Sequence, residues 1–259
     1  MPQIRGVFFD FDDCLAPTEK IALGAACALT NREVVPAANT MIVQTFIEKF
    51  PGMTYRVILA AIMKELPSVK LSSDRVDQLV KLEEAGAIAA LRDEIVPTPG
   101  SLEVLEALRV HMPDVKLAVS SSSASNRLEV CLDACRQAEY FGDRVYSAQT
   151  TLKEPRPKPL PDINLHALKV LDLDPSNVAM IEDSKSGMLS STRAGIAHRV
   201  GYVGSLDEAQ HQKRASELFE AGAQYVIRFF GSFLDIIKGI EAEDVSSLKA
   251  KFGAQSWKS

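Results

Sequence analysis

The sequence predicts an α/β fold, a parallel sheet wrapped by helices, with an all-helical domain inserted near its beginning. Three observations lead there. Residues Ile4 to Phe11, with Val7-Phe8-Phe9 at the centre, are apolar on both faces of an extended chain, as in a strand buried inside a parallel sheet. From Pro97-Thr98-Pro99-Gly100 onward, strand-like and helix-like segments alternate, which implies parallel strands joined by right-handed crossovers. Between these stretches, Thr18 to about Arg92 holds nothing that resembles a strand.

The first strand ends in the carboxylates of Asp10, Asp12 and Asp13. Helices are expected near 18–31, 39–50, 54–66 and 73–93, separated by Pro36, Pro51-Gly52 and Pro67, since proline lacks the N–H that would continue a helix. The alternating half reads as helix 101–112, strand 115–120, helix 124–137, strand 144–147, helix 162–172 and strand 177–182. Helix 185–194, strand 197–200, helix 206–221, strand 224–228 and helix 231–240 continue it. The expected organisation is a discontinuous sheet domain (1–16 and 95–240), a helical domain (17–94) and a polar, weakly patterned tail (241–259) open to fraying. Trp257 in that tail is expected to dock on the core or on a second subunit. An insertion after the first strand lies at the sheet's carboxyl edge, where such sheets bind ligands.

With 259 residues and 46% apolar content, the chain can bury a substantial core in one or two domains. A formal charge of -5 without a basic face argues against a nucleic-acid partner. No apolar stretch approaches the roughly 20 residues of a membrane helix. Four cysteines, and no cationic segment leading an apolar stretch at the start, point to a reducing cytoplasm. Cys131 and Cys135, one helical turn apart, read as packing, and His111, His166, His198 and His211 are scattered without metal-like spacing.

Three strand ends carry the chemistry. Asp10 and Asp12, one residue apart, turn toward one side of an extended strand terminus, so one carboxylate can attack phosphorus while the other donates to the leaving oxygen and later deprotonates water. A carboxylate approaching a phosphate is repelled, so cations are required. Glu182 and Asp183 end the apolar run Val178-Ala179-Met180-Ile181 and offer magnesium hard oxygen ligands, and Lys158 adds a point charge. Ser120 to Ser123, ending Val115 to Val119, can present hydroxyls and N–H groups to phosphoryl oxygens at the following helix N-terminus.

Those residues resemble the motifs of the haloacid dehalogenase-like hydrolases, and within them the phosphatase and phosphomutase branch that includes beta-phosphoglucomutase-like proteins. Asp10-Phe11-Asp12-Asp13-Cys14-Leu15 resembles the first motif, D-x-D-G-[TV]-L, and Ser121 matches the second. Lys158-Pro159-Leu160-Pro161-Asp162 is similar to K-P-x-P-D, and Glu182-Asp183-Ser184 with Gly187 to E-D-S-x-x-G. Pro99-Gly100 and Ala221-Gly222-Ala223 sit where the family has P-G and A-G-A turns, so the resemblance spans about residues 4 to 240.

The resemblance implies a Rossmann-like core with a helical cap, Asp10 as nucleophile, and Asp12 as acid/base whose backbone carbonyl also ligates magnesium. It further implies Asp183 as a side-chain ligand, Glu182 as support for the metal, and Ser121 and Lys158 as holders of the phosphoryl group, with Ser122 beside them binding substrate. In the cap, Lys49, Gly52 and Arg56 around Phe50-Pro51-Gly52 resemble the loop that reaches substrate in sugar-phosphate members; a helix-helix turn with solvated charges accounts for them equally. Dehalogenases and phosphonoacetaldehyde hydrolases lack the acid at Asp12, which disfavours their chemistry; an imine at Lys49 is disfavoured because a lysine in such a helical domain is far more often at the surface or in contact with substrate. Asp13 replaces a glycine that takes positive φ cheaply, so it either stabilises the turn or adds a third carboxylate near the metal. Cys14 replaces threonine or valine and reads as packing.

The expected function is a magnesium-dependent phosphatase of a small phosphorylated metabolite, sugar phosphates foremost, working through an aspartyl-phosphate as a monomer or weak homo-oligomer. The alternatives are a beta-phosphoglucomutase-like phosphomutase and a catalytically inactive binding or regulatory protein of the same fold. Lys158→Ala is expected to leave the fold intact while depressing phosphate release by orders of magnitude.

Overall fold

The computed structural model describes residues 4–257. The chain divides into two compact units, one formed by residues up to Ala16 together with those from Pro97 onward, the other by Pro17–Val96.

The first unit is a Rossmann-like α/β layer structure. Its strands are β1 (Gly6–Phe9), β2 (Lys116–Ser121), β3 (Val145–Ser147), β4 (Val178–Glu182), β5 (His198–Tyr202) and β6 (Tyr225–Ile227), all parallel in the order β3-β2-β1-β4-β5-β6. Every residue of β1 and β4 is buried, as helices covering both faces require. Phe8 packs with Ala118, Met180, Ile163 and Ile196. Phe9, on the opposite face by the alternation of a strand, meets Phe141 edge-on at 5.8 Å and Phe233 at 5.9 Å. Burying each such ring contributes about 1.5–3 kcal/mol. The strand order reverses around β1, which has β2 on one side and β4 on the other, and that reversal opens a crevice at the carboxyl edge.

The second unit contains α1 (Glu19–Glu33), α2 (Val43–Lys49), α3 (Tyr55–Glu65) and α4 (Ser73–Glu94). Phe46, Phe50, Leu59, Leu79 and Cys27 form its core, and Ser72 caps α4 by accepting the Arg75 N–H at 3.2 Å. The helix expected from residue 39 instead begins at Val43, after a 3-10 turn at Ala37–Asn39. The unit extends past the expected limit at residue 94, because Ile95 still donates back to Leu91 at 2.9 Å.

Helices α5 (Ser101–His111), α6 (Ser125–Ala134), α7 (Ala138–Phe141), α8 (Asp162–Val170), α9 (Lys185–Arg193), α10 (Glu208–Glu220) and α11 (Ser232–Glu241) cover the sheet. The helix expected over 124–137 stops at Ala134, Arg136 takes φ +56°, and α7 follows as a separate short helix that was not expected. The tail departs most from expectation. Residues Val245–Phe252 form α12, and a 3-10 turn follows at Ala254–Trp257. Trp257 is buried among Val226, Leu218 and Met188, its Nε1–H donates to Val226 O at 3.3 Å, and the Arg228 guanidinium lies 4.0 Å from its ring. Too few apolar residues lie in the tail to show a period; the buried ones, Leu248, Phe252 and Trp257, are anchors on elements that pack against α11, β6 and α10.

Candidate active site

Strand register assembles the site. Phe9 pairs with Val119 on β2 and with Ile181 on β4, so the next residues, Asp10, Ser120 and Glu182, lie side by side at the carboxyl edge of the sheet. The Asp10 N–H continues the ladder to Ile181 O at 3.1 Å. The chain then turns tightly: Asp13 takes φ +54° and its N–H donates to Ala16 O at 2.8 Å. Asp is among the residues that tolerate this left-handed conformation, so the turn forms without the glycine. Cys14 is fully buried with its Sγ 3.8 Å from Ile181 O; burial first, and then the carboxylates of Asp10, Asp183 and Glu182, push its thiol well up, which keeps it an inert packing residue.

Lys158 occupies the centre. Its Nζ donates to Asp10 Oδ1 at 2.7 Å, to Ser120 O at 2.8 Å and to Glu182 Oε1, so all three ammonium protons are used. Burial works against its charge, but Asp10 and Glu182 prevail and hold it protonated above the ordinary lysine range. Burial pushes Asp10 up to about 6 and Glu182 up to about 8 against the opposing pull of Lys158, and burial together with Asp10 and Glu182 holds Asp183 well above the ordinary carboxylate range. Gly187 is required beside them: a Cβ there would sit 1.9 Å from Glu182 Oε2. Ser184 caps α9 by accepting the Gly187 N–H at 3.0 Å, which ties that helix start to the acidic strand end.

Asp12 lies on the serine loop. Its Oδ2 accepts from Ser123 Oγ at 2.7 Å and Ser121 Oγ at 3.2 Å, and its Oδ1 from Arg127 Nη2 at 2.8 Å. Ser122 Oγ accepts the Lys158 N–H at 3.3 Å, joining the serine loop to the lysine loop. The sheet unit thus brings together Asp10, Asp12, Ser121, Ser122, Lys158, Glu182 and Asp183. Two further residues were not anticipated: Arg127 on α6, and Arg214 on α10, whose Nη1 donates to Asp183 O at 2.9 Å and lies 3.9 Å from its Oδ2. Arg127 left a faint trace in the sequence, a cation in the first turn of a helix, where the dipole favours anions. Arg214, in mid-helix, left none.

A model of the family described as haloacid dehalogenase-like hydrolase matches residues 7–200, which include every one of these acidic, serine and lysine positions. The chain belongs to the haloacid dehalogenase-like hydrolases. It is 28% identical over 225 residues, 87% of this chain and 94% of the other, to a phosphorylated carbohydrates phosphatase of Thermotoga maritima. It is 24% identical over 197 residues, 76% of this chain and 81% of the other, to a 6-phosphogluconate phosphatase of Escherichia coli. Among solved structures, a Thermotoga maritima protein provisionally named a beta-phosphoglucomutase superposes with a TM-score of 0.70 at 26% identity, covering 92% of this chain and 100% of the other. These likenesses set the hydrolase in the phosphoglucomutase-like branch.

The donor set of this haloacid dehalogenase-like hydrolase suits a hard divalent cation. Carboxylate oxygens of Asp10, Glu182 and Asp183 all lie within 4.8 Å of one another, and no nitrogen or sulfur ligand stands among them. Asp10, Glu182 and Asp183 crowd three carboxylates around the Lys158 ammonium, and a dication among them would favour their ionised forms.

The remaining expected residues belong to the helical unit. Lys49 pairs with Glu65 and lies 5.3 Å from the Phe50 ring centre, and Arg56 pairs with Asp77 at 2.5 Å. Gly52 takes φ +68° and its N–H donates to Glu19 Oε1 at 2.5 Å. Within that unit these contacts are those of a helix-helix turn with half-exposed ion pairs.

Proposed function

We propose that this phosphoric monoester hydrolase is a magnesium-dependent phosphatase of a small phosphorylated carbohydrate, and that it works through a phosphorylated Asp10. The observation that carries the reading is the Lys158 ammonium shared by Asp10 and Glu182, with Asp183 close enough to complete an oxygen-only cation site. The phosphatase names of the two relatives supply the substrate class.

In this reading Asp10, Asp183 and Glu182 hold the magnesium, with the Asp12 backbone carbonyl; when bound, the ion offsets charge on the phosphoryl oxygens and favours ionised Asp10. An Asp10 oxygen attacks phosphorus, the bond from phosphorus to the ester oxygen breaks, and Asp12 gives its proton to the departing oxygen. Asp12 then takes a proton from water as that water attacks phosphorus, the Asp10–phosphorus bond breaks, and inorganic phosphate leaves. Lys158 and Ser121 hold the phosphoryl group and its charge between these steps. Lys49, Gly52 and Arg56 select the carbohydrate, a role motivated by their place at the Pro51-Gly52 turn.

A panel of sugar phosphates assayed with magnesium and with chelator tests this. Magnesium-dependent phosphate release that vanishes in Asp10→Asn is expected; turnover that survives either loss would overturn the mechanism. Similarity to the beta-phosphoglucomutase-named structure favours a second reading, in which the Asp10 phosphoryl group passes to a sugar hydroxyl instead of water. Isomerised sugar phosphate in place of free phosphate would establish it.

A further inference from the structure

Arg127 stands in the first turn of α6, where the helix dipole disfavours a cation and the turn carries no acidic residue to compensate. Its Nε is buried without a hydrogen-bond partner, a further local cost. Both costs accompany a single strong contact, Nη2 to Asp12 Oδ1 at 2.8 Å across 115 residues of sequence. A residue that violates local preference to make one distant contact marks a functional constraint.

The other oxygen of Asp12 is held by hydroxyls. Ser123 Oγ donates to Oδ2 at 2.7 Å, and Ser121 Oγ at 3.2 Å while accepting the Ser123 N–H at 3.0 Å. The Ser123 carbonyl is itself held by Ser147 Oγ at 2.7 Å, so the loop is pinned to the end of β3. A serine hydroxyl has one proton. Once Ser121 gives that proton to a phosphoryl oxygen, its tether on Asp12 is lost, and the carboxylate must be oriented by what remains.

We propose that Arg127 is a positioning residue for Asp12, clamping Oδ1 so that the carboxylate keeps its direction when substrate engages Ser121. The clamp and Ser123 then define the carboxylate plane from two separate elements, α6 and the β2–α6 loop. Arg127 touches neither the reacting phosphorus nor the leaving oxygen; its effect passes through Asp12. The inference rests on the assignment of Asp12 as acid/base made above.

A double-mutant cycle of Asp12→Asn and Arg127→Met, with Arg127→Lys alongside and a sugar phosphate as substrate, tests it. Asp12→Asn is expected to lower kcat by about 10²–10⁴. Arg127→Met is expected to lower kcat by about tenfold or more with KM changed less than about threefold, Arg127→Lys to recover part of the loss, and the double variant to match Asp12→Asn alone. Additive losses, a rise in KM at unchanged kcat, or wild-type turnover in Arg127→Met would each overturn the positioning role. Full turnover in Asp12→Asn would instead remove the acid/base assignment beneath it, so the two failures are distinguishable.

Discussion

Replacing Lys158 by methionine keeps the side chain's length and removes the charge between two buried carboxylates. The Lys158 side chain is 4% exposed, that of Asp10 9% and that of Glu182 0%, so solvent cannot take over the ammonium's part. Breaking a buried pair in this way costs about 3–5 kcal/mol of folding stability, because the abandoned charges stay desolvated. The expectation from sequence, that losing this lysine spares the fold, therefore gives way to a stability loss. Its pH dependence has a definite sign. Asp10 and Glu182 ordinarily titrate at 3.8 and 4.5, while in the fold they are pushed up to about 6 and about 8, so folded protein holds more protons than unfolded protein between those limits and loses stability as pH rises through them. Lys158 pulls both values down, and removing it steepens that loss. Urea denaturation in chelator should show a deficit of about 3–5 kcal/mol at pH 8, shrinking at pH 5 to the roughly 1–2 kcal/mol of the lost hydrogen bonds. A deficit below about 1 kcal/mol at pH 8, or one equal at both values, would refute the reasoning. With magnesium, phosphate release should fall by about 10²–10³.

Asp183→Asn should abolish the thermal stabilisation by magnesium, which for wild type at 100 times its dissociation constant is about 2.7 kcal/mol, and scanning fluorimetry with and without the ion reads this directly. Gly187→Ala places a Cβ 1.9 Å from Glu182 Oε2, so the carboxylate must move; magnesium affinity by titration should drop about 10–100-fold, and wild-type affinity would show that the glycine serves only the helix start. Trp257→Ala should destabilise the sheet unit by about 3–5 kcal/mol in denaturant, whereas a change under about 1 kcal/mol would mean that the tail is not part of the core.

Much of the site was legible in the sequence because its parts are local. A buried parallel strand announces itself by an unbroken apolar run, and Val7-Phe8-Phe9, Leu117-Ala118-Val119 and Val178 to Ile181 all end directly in polar residues. Asp10, the serines and Glu182-Asp183 are thus read as strand ends, and the ladder that aligns Phe9 with Val119 and Ile181 turns those ends into neighbours. Lys158 was legible through its motif; its contact with both Asp10 and Glu182 was not, since the loop from β3 to α8 carries no period.

By itself the sequence determined the strand-helix alternation, the inserted helical segment and the residue types at the carboxyl edge, since each depends on periodicity and turn chemistry within a few residues. Tertiary structure alone decided that Arg127 meets Asp12, that Arg214 meets Asp183, that Gly187 leaves room for Glu182, and that Trp257 closes onto β6. Apart from the close approach of Gly187 to Glu182 at the end of one strand, these contacts join residues tens to more than a hundred positions apart. Their energies come from burial and charge in the assembled fold, and spacing along the chain carries no record of them.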